Sequence, residues 1–401
     1  MSLALQGVIV VEFTTALAGP LAGRYLAEAG AEVIKVESEH GGLDSFRVFS
    51  EDGKLDGSSR YLENNLGVKS VRLNLRNEIG LSLARELIAR SDVLLDNFRP
   101  DVLERLGLGV DVVRATNPGL VVVKMPGFGS TGPRARHGSW GPNLLAYGGM
   151  THLWNHTGVL EPIGTQSVYP DYVAGGLAPA LIVAALLARK RTGRGVFIDL
   201  AQVELMAYLL GVSALELSIT GDDPQPIGNR SGDAAPQGCY PCLGADRWCV
   251  ISVEDDDQWS KLCSLLRRPE LTHDPRYSTF ADRSIHHDEL DELICAYTAS
   301  RDAYEVMQTL QDAGVPCGVV QDARDLWNDP QLRERGLIAE VVHGVLGRVS
   351  VPTLPLRLSD GGTGPPTSSP LLGEHDEVVI CDLLGYSRDE LEAFRASEAV
   401  V

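Results

Sequence analysis

The sequence predicts an α/β protein: a large domain built on a doubly wound, mostly parallel sheet, and a smaller α+β domain in the middle of the chain. Three observations lead to this fold class. Short apolar runs alternate with amphipathic segments over about the first 220 residues, a pattern typical of strand–helix–strand units. A Gly/Asp/Pro-rich linker at 221–226 then marks a change in the composition of the sequence. Finally, 401 residues are too many for one ordinary compact domain.

The chain opens with a strand, a helix and a second strand. Gly7–Phe13 (GVIVVEF) is an almost wholly apolar run, as in a buried parallel strand. Gly19-Pro20 opens a helix, because proline suits the first turn, and Gly30 ends it near Ala29. Glu32–Val36 is then the second strand, so this segment predicts a right-handed crossover unit.

The same alternation continues up to the linker. It predicts strands at Val68–Leu75, Val93–Leu95, Leu120–Lys124 and Gly195–Leu200, and helices at Asn77–Arg90, Asp101–Leu106, Val110–Ala115 and Ala201–Leu217. After the linker we expect a hairpin over Cys239–Ser252, helices near Asp255–Leu266, His287–Ala299 and Arg301–Asp312, and strands near Ile338–His343 and Arg348–Val351. The predicted domain boundaries are therefore 1–220 for the large domain and 221–325 for the small domain.

Composition limits the partners and the compartment. The net charge of −19 argues against nucleic acid and anionic membranes as general partners. The seven cysteines are scattered, and one close pair, Cys239-x-x-Cys242, favours two strand cysteines over a zinc or redox site. Met1–Gln6 carries no signal-peptide pattern, and the apolar run Val173–Leu187 is too short to span a bilayer. We therefore expect a soluble, cytoplasmic protein with no metal.

A single carboxylate, Asp171, stands at the head of that apolar run, in the stretch SVYPDYVAGG. The run is uncharged and ends at Arg189-Lys190-Arg191, which predicts a buried helix with cations near its C-terminus. Asp171 follows Pro170 at the opposite end, where a helix N-terminus favours negative charge, so we expect it to stay ionised. These residues alone favour a simple helix cap over a functional carboxylate.

The turn after the first strand does not carry a nucleotide fingerprint. It reads AGPLAG from Ala18 to Gly23, which lacks the glycine spacing of a dinucleotide site, and the sequence holds no P-loop. A better anion site is Asp96–Gly107 (DNFRPDVLERLG), which follows a buried strand at the carboxyl edge of the predicted sheet. Pro100 starts a helix there, whose free N–H groups face the strand end.

Side chains of this stretch supply the chemistry of an anion site. Arg99 and Arg105 offer charge-assisted donors, and Phe98 can pack against a base or a pantetheine arm. Lys124, after the next strand, adds a third cation to the same edge. The alternative is an ordinary loop with two surface arginines, and the stretch alone does not separate the two.

Together, several stretches resemble the class III CoA-transferase family, whose members include formyl-CoA and carnitine CoA-transferases. The likeness covers essentially the whole chain, and the order and spacing of its pieces make it specific. The stretches are LQGVIVVEFTTALAGPLAGRYLAEAGAEVIKVE, VKSVRLNL, DNFRPDVLERLGLG, MPGFGSTGP, YPDYVAGG, RTGRGVFIDLAQVE and PLLGEH.

The resemblance implies a fold, an assembly and a set of site residues. Family members have a large α/β domain that contains both chain ends, so 326–401 is expected to return to it, and two subunits thread through each other as an interlocked dimer. The family's catalytic aspartate matches Asp171, and Gly228–Gly238 lies where the family carries a Gly-rich loop over the active site. The residues that match the family's CoA site are Asn97, Phe98, Arg99 and Arg105, with Ala18 in the turn near the nucleotide and Leu75 lining its site.

The sequence also departs from the family's pattern. The second strand often ends in Lys-x-Glu-Arg, whose Arg helps to hold CoA, whereas here it ends in Ser38. The Gly228–Gly238 loop is not a run of glycines. The family's racemase branch carries a His-Asp pair after its Gly-Pro turn, but the matching place here is Trp140-Gly141, and His137 is out of register. The last departure argues against a racemase.

The resemblance implies transfer of CoA from an acyl-CoA thioester to a free carboxylic acid, with coenzyme A bound only as part of the substrates and no permanent cofactor. A carboxylate can attack a thioester to give an anhydride and then an aspartyl-CoA thioester. One alternative is an acyl-CoA epimerase, which needs a second acid or base from His137, His152 or His156. The other is a non-catalytic CoA-binding subunit of a hetero-oligomer. The sequence names neither the donor nor the acceptor acid.

Overall fold

A six-stranded, fully parallel sheet forms the centre of the large unit of the molecule. The computed structural model describes residues 3–50, 53–165, 167–357, 359, 364 and 366–401. The strands of this sheet are β1 (Ile9–Phe13), β2 (Glu32–Glu37), β3 (Lys69–Arg72), β4 (Val93–Asp96), β5 (Val121–Lys124) and β6 (Phe197–Asp199). Their order is β3-β2-β1-β4-β5-β6, with every neighbouring pair parallel. The order reverses between β1 and β4, and doubly wound sheets bind ligands at that point, outside the carboxyl ends of their strands.

The chain divides into two units. The large unit comprises residues up to 151, 165–222 and 331–401, and the small unit comprises 152–164 and 223–330. The predicted boundaries at 220 and 325 lie a few residues from these, whereas nothing in the sequence marked 152–164 as part of the small unit. The small unit has an antiparallel sheet of β7 (Gln237–Pro241), β8 (Trp248–Ser252) and β9 (Cys317–Val319). The predicted α/β class with a mostly parallel sheet is confirmed.

Two further strands, β10 (Ile338–His343) and β11 (Gly347–Pro352), form an antiparallel ribbon. The helices of the described residues are α1 (Ala18–Glu28), α2 (Ser45–Val48), α3 (Ser59–Asn64), α4 (Glu78–Ala89), α5 (Asp101–Arg105), α6 (Val110–Thr116), α7 (Gly141–Tyr147), α8 (Met150–Leu153), α9 (Tyr169–Thr192), α10 (Gln202–Leu209), α11 (Gly211–Thr220), α12 (Asp256–Leu265), α13 (Phe280–Ile285), α14 (His287–Thr298), α15 (Ala303–Asp312), α16 (Ala323–Asn328), α17 (Pro330–Glu334) and α18 (Arg388–Ala396). Short 3₁₀ turns lie at Pro269–His273 and Pro275–Tyr277, and a π-helix at Val378–Leu383.

Both faces of the parallel sheet are covered. Successive strand residues point to opposite faces, and in β1 both Val10 and Val11 are fully buried. Val10 packs in a cluster with residues of α1 and α9, and Val11 in a second cluster with residues of α4. The C-terminal residues Val379 and Ile380 belong to that second cluster. The nearly continuous apolar runs of the strands therefore reflect burial on two faces.

Local residues set the ends of the main helices. The Asn77 side chain caps α4 by accepting the N–H of Ile79 at 2.9 Å. Asparagine is among the residues preferred at the N-cap of a helix. Gly30 and Gly193 follow α1 and α9 with φ of +102° and +69°, the left-handed conformation that glycine adopts without strain. The predicted bounds of α1 and α4 differ from the observed ones by one residue, whereas α9 extends four residues before and five residues beyond the predicted apolar run.

The helix predicted over Ala201–Leu217 is instead two helices, α10 and α11, bent by 58°. The break falls at Leu210 and Gly211. Apolar periodicity runs through both segments, so the pattern alone did not reveal the bend. No residue of the second helix is buried.

Helices α9 to α11 leave much apolar surface uncovered. Tyr208, Val212 and Ile219 are 83%, 81% and 75% exposed. Helix α9 is 24 residues long, longer than the apolar run read from the sequence, and by length and composition alone it meets the requirement for a membrane span, as does the bent α10–α11 pair if counted as one. Length therefore does not exclude a bilayer here, contrary to the expectation from the sequence.

Candidate active site

Asp171 lies in the first turn of α9, and its carboxylate faces the start of a different helix. The backbone N–H of Ala18, the first residue of α1, is near enough to the Asp171 carboxylate to lower its pKa. Donors in the first turn of a helix have no partner within it, so this N–H is free to stabilise the carboxylate charge. Helix α9 itself has Val168 at its N-cap, without a side-chain cap. Asp171 is therefore an acidic residue of the first turn of α9 and not its N-cap residue.

Burial raises the pKa of Asp171 to about 6, while the N–H groups of Ala18 and of Asp171 itself lower it. Desolvation disfavours the charged form, and donated hydrogen bonds favour it. At pH 7 most of this carboxyl is still ionised. Near neutral pH the Asp171 carboxylate is therefore mostly charged although it is poorly solvated, and a pKa shifted in this way is typical of functional sites.

Two glycines make room for this contact. A Cβ placed on Gly141, the first residue of α7, would lie 2.3 Å from Asp171 Oδ2. A Cβ on Gly175 would lie 2.9 Å from the carbonyl oxygen of Ala18, where α9 crosses α1. A side chain at Gly141 would force either the carboxylate or the start of α7 to move, so the absence of one preserves the geometry of Asp171.

A cavity of about 890 Å³ opens at the carboxyl edge of the parallel sheet, within the large unit. Residues that follow the ends of five strands line it, among them Ser38 after β2, Leu75 after β3, Asn97 after β4 and Gly127 after β5. Thr15, three residues before Ala18, and Trp140, next to Gly141, also line it. The cavity therefore reaches the two segments that contact Asp171. A strand-end cavity beside the switch point is where an open α/β sheet binds its ligand.

Five of the seven residues predicted to bind CoA line this cavity: Leu75, Asn97, Phe98, Arg99 and Arg105. Arg99 is exposed and has no acidic partner among the described residues. Arg105 is exposed and lies 3.6 Å from Asp101, so its charge is only partly engaged. Both guanidinium groups are available to a phosphate.

Asn97 does more than line the cavity. Its Oδ1 accepts the N–H of Thr15 at 2.9 Å, and its Nδ2 donates to the Thr15 carbonyl oxygen at 2.9 Å. This paired contact joins the loop after β4 to the turn after β1, across the switch point. The Oδ1 and the Nδ2 of Asn97 therefore both bind the protein backbone, so the main role of this side chain is to hold the turn in place.

Two of the predicted residues do not line the cavity. Ala18 is fully buried, and its N–H lowers the pKa of Asp171. Lys124 is 3% exposed and pairs with Glu104 and, at 3.7 Å, with Asp96 Oδ2, while its Nζ donates to the Pro100 carbonyl oxygen at 3.0 Å. The positive charge of Lys124 is neutralised inside the protein, so Lys124 does not act as a ligand cation. Its hydrogen bond to Pro100 instead stabilises the loop that carries Arg99.

Sequence reasoning missed two exposed basic residues of the cavity wall, His40 and Arg76. The Arg76 guanidinium lies against Gly41, with Nη2 3.3 Å from a Cβ placed there. Ser38 lines the same wall, and its Oγ accepts the N–H of His40. Arg76 follows the third predicted strand directly, so the strand-end rule used for Arg99 contained the signal for it.

Comparisons with known proteins show the family to which this chain belongs. A family model described as CoA-transferase family III matches residues 5–376. A succinyl-CoA–D-citramalate CoA-transferase of Chloroflexus aurantiacus is 33% identical, over 99% of this chain and 98% of that protein. A probable CoA-transferase of Mycobacterium tuberculosis is also 33% identical, over 96% of this chain, which spans only 49% of that longer relative. A crystal structure of a CAIB/BAIF family protein from Brucella suis superposes with a TM-score of 0.86 at 30% identity, over 96% of this chain and 100% of that one.

The chain belongs to the CoA-transferase family III and is a CoA-transferase of that class. The family predicted from the sequence is confirmed.

Proposed function

We propose that this enzyme moves CoA from an acyl-CoA thioester to a free carboxylic acid, with Asp171 as the nucleophile. The observation that carries the proposal is the position of Asp171: an ionisable, weakly solvated carboxylate held on the N-terminus of α1, beside a cavity large enough for a substrate of this size. The CoA moiety lies in that cavity, with its phosphates near Arg76, Arg99 and Arg105.

The reaction proceeds by four acyl exchanges. The Asp171 carboxylate attacks the thioester carbonyl, the C–S bond breaks, and a mixed anhydride and CoA thiolate result. The thiolate then attacks the Asp171 side of the anhydride, which releases the donor acid and leaves an aspartyl-CoA thioester. The acceptor carboxylate attacks this thioester to form a second anhydride and thiolate. The thiolate finally attacks the acceptor's acyl carbon, which forms the new CoA ester and restores the Asp171 carboxylate.

The local donors suit this chemistry. The Ala18 N–H, at a helix N-terminus, stabilises negative charge on the Asp171 carboxylate before attack. The same end of α1 can stabilise an oxyanion that develops on the Asp171 carbonyl when the thiolate or the acceptor attacks it. The raised pKa reflects incomplete solvation, and a poorly solvated carboxylate is a stronger nucleophile than one in water.

Acyl-CoA epimerisation is the second candidate, and Gly141 argues against it. The position that would match a racemase aspartate has no side chain, and a Cβ there would meet Asp171 Oδ2 at 2.3 Å. His137 lines the cavity and is the residue that would have to act as the second acid or base of an epimerase. Exchange of isotope from a labelled free acid into another acid's CoA ester supports transfer. Loss of α-hydrogen label without acid exchange supports epimerisation, and neither reaction supports a non-catalytic subunit.

The exposed apolar surface of α9 to α11 fits a subunit interface. We propose that a second copy of the chain covers Tyr208, Val212 and Ile219 in a homodimer, as the family resemblance implies. Sedimentation at falling protein concentration tests this: a dimer that stays intact to nanomolar concentration is expected, and a stable, active monomer contradicts it. Partition of the protein into vesicles without dimer formation would assign the surface to a membrane instead.

All seven cysteines are unpaired, which fits a reducing compartment. The cytoplasm is the location that we propose.

A further inference from the structure

The turn that presents Ala18 to Asp171 contains a residue in an unfavourable backbone conformation. Ala16 lies between β1 and α1 with a φ of +64°. A residue with a Cβ rarely adopts this left-handed region, and it persists only where surrounding contacts hold it. Ala18, whose N–H lowers the pKa of Asp171, comes two residues later, so the conformation of Ala16 helps to set the direction of that N–H.

Asp44 holds Ala16 in place. Its Oδ1 accepts the N–H of Ala16 at 3.0 Å and that of Phe46 at 2.9 Å. Asp44 is completely buried. One carboxylate oxygen thus fastens the turn after β1 to the start of α2.

A buried cation fixes Asp44 in turn. Lys35 Nζ lies 2.9 Å from Asp44 Oδ2, and it also donates to Thr14 Oγ1 at 2.8 Å and lies 3.3 Å from Glu12 Oε1. Lys35 and Glu12 are completely buried as well. The cluster therefore reaches the turn at two neighbouring residues, Thr14 through Lys35 and Ala16 through Asp44.

The rest of this charge cluster does not contact the turn. Glu37 accepts the N–H of Asp44 at 3.2 Å and pairs with Arg47 at 2.6 Å, and Arg47 pairs in turn with Asp56. Asp56 accepts the N–H of Leu372 at 3.3 Å, and its hydrogen bonds and ion pairs among the described residues do not reach residues 14–18. Asp56 is thus a matched control: a buried acid of the same cluster that reaches Asp44 only through Arg47 and Glu37.

We propose that Asp44 is a positioning residue for Asp171: it holds Ala16 in the left-handed conformation that aims the Ala18 N–H at the Asp171 carboxylate. This inference rests on the proposed role of Asp171 as nucleophile. Asp44 contacts neither substrate nor Asp171, and it acts only through the backbone of the turn.

The test compares Asp44→Ala with Asp44→Asn. The alanine variant lets Ala16 relax, so kcat falls about tenfold or more, and the acid limb of the kcat profile moves up by roughly one pH unit because Asp171 loses the donor that lowers its pKa. The asparagine variant keeps an oxygen for the Ala16 N–H, so kcat and the acid limb stay near wild type. Ala16→Gly in the Asp44→Ala background restores kcat, since glycine adopts a positive φ without support.

Controls separate positioning from general stability. Asp56→Asn is expected to lower the melting temperature and leave kcat and its pH profile unchanged. Glu12, whose pKa burial raises to about 6, lies in the same cluster, so Glu12→Gln is measured too and is expected to keep the acid limb in place. If Asp44→Ala does not fold, Asp44→Ser replaces it, because serine still caps α2 while its shorter side chain withdraws from Ala16.

Three results overturn the proposal: a folded Asp44→Ala enzyme with wild-type kcat and acid limb, a loss confined to KM for the CoA thioester, or an equal shift in Asp56→Asn. The proposed function fails in a different way, through an active Asp171→Asn enzyme. With Asp171→Asn inactive and Asp44→Ala normal, Asp171 remains the nucleophile and only the role of Asp44 is lost.

Discussion

The carboxylate of Asp171 lies beside the backbone N–H of Ala18, at the N-terminus of a neighbouring helix, and that N–H lowers its pKa. This contact joins α1 and α9 at the place where Gly175 lets them approach. Two effects act on the pKa of Asp171 in opposite directions: burial raises the pKa, and the N–H groups near the carboxylate lower it. The predictions below depend on that balance.

Asp171→Asn separates a nucleophile from a structural acceptor. The amide oxygen can still accept the Ala18 N–H, so the fold and CoA affinity are expected to stay near wild type. It cannot form the anhydride or the aspartyl-CoA thioester, so transfer falls on the order of a thousandfold or more. Steady-state assays and calorimetric titration with CoA measure the two effects.

A trapping experiment checks the same residue in the wild-type enzyme. Incubation with the acyl-CoA donor and hydroxylamine or borohydride is expected to modify the peptide that contains Asp171. Labelling of a different carboxylate, or substantial transfer by Asp171→Asn, removes Asp171 from the reaction.

The rate should depend on the ionisation of Asp171. With a pKa of about 6, kcat/KM is expected to be flat above pH 7 and to fall about tenfold per pH unit below pH 5. The phosphates of CoA also titrate in this range, so CoA binding to Asp171→Asn is measured at each pH and used to correct the profile. An acid limb centred near pH 4 would show that Asp171 is better solvated than its burial indicates.

The ionised carboxylate costs stability. The folded pKa of Asp171 is raised above that of an unfolded chain. Between about pH 4 and pH 6 the folded state therefore holds a proton that the unfolded state has released, so the contribution of Asp171 to the free energy of unfolding is lost as the pH rises through this interval. Above pH 6 the cost is about 1–3 kcal/mol. Asp171→Asn carries no charge, so its free energy of unfolding relative to wild type should rise over that interval.

Denaturant unfolding at fixed protein concentration, from pH 4 to 8, measures this difference. Glu12 and Asp96 also have pKa values raised by burial, to about 6 and about 7, but their contributions are common to both proteins and cancel. A difference that does not vary with pH contradicts the predicted ionisation.

Arg76, Arg99 and Arg105 should each contribute to CoA affinity. Removal of one charge-assisted contact costs ~1.5–3 kcal/mol, or about tenfold to a hundredfold in Kd, and the loss should shrink at high salt because all three side chains are exposed. Arg191→Ala, an exposed arginine at the far end of α9, is the matched control and should bind CoA normally. Equal affinities in all four variants would place the phosphates elsewhere.

The sequence was sufficient for features that depend on short segments. The apolar run around Val10 and Val11 predicted a strand buried on both faces, and Asp171 was found at the head of its helix. Features that depend on contacts between distant segments were not predictable. Lys124 looked like a free cation because its partner Glu104 is 20 residues away in the chain. Ala18 was assigned to the nucleotide turn by the family resemblance, and its sequence does not show that its N–H lies near Asp171.

Gly141→Ala is the most direct test of the geometry around Asp171. The added Cβ would lie 2.3 Å from Asp171 Oδ2 and also 2.5 Å from the Val168 Cβ, so either the carboxylate or the start of α7 must move. Displacement of a reacting group by about 1 Å costs on the order of a hundredfold in rate, so kcat should fall by that order while CoA binding changes little. Gly176→Ala is the matched control: it lies in α9, five residues beyond Asp171, and a Cβ there has no neighbour within 4 Å. Because alanine favours a helix over glycine by up to about 1 kcal/mol, this variant should be slightly more stable and fully active. Equal activity in the two variants would mean that Asp171 tolerates a shift in position, and the carboxylate would then act through its charge rather than as an aligned nucleophile.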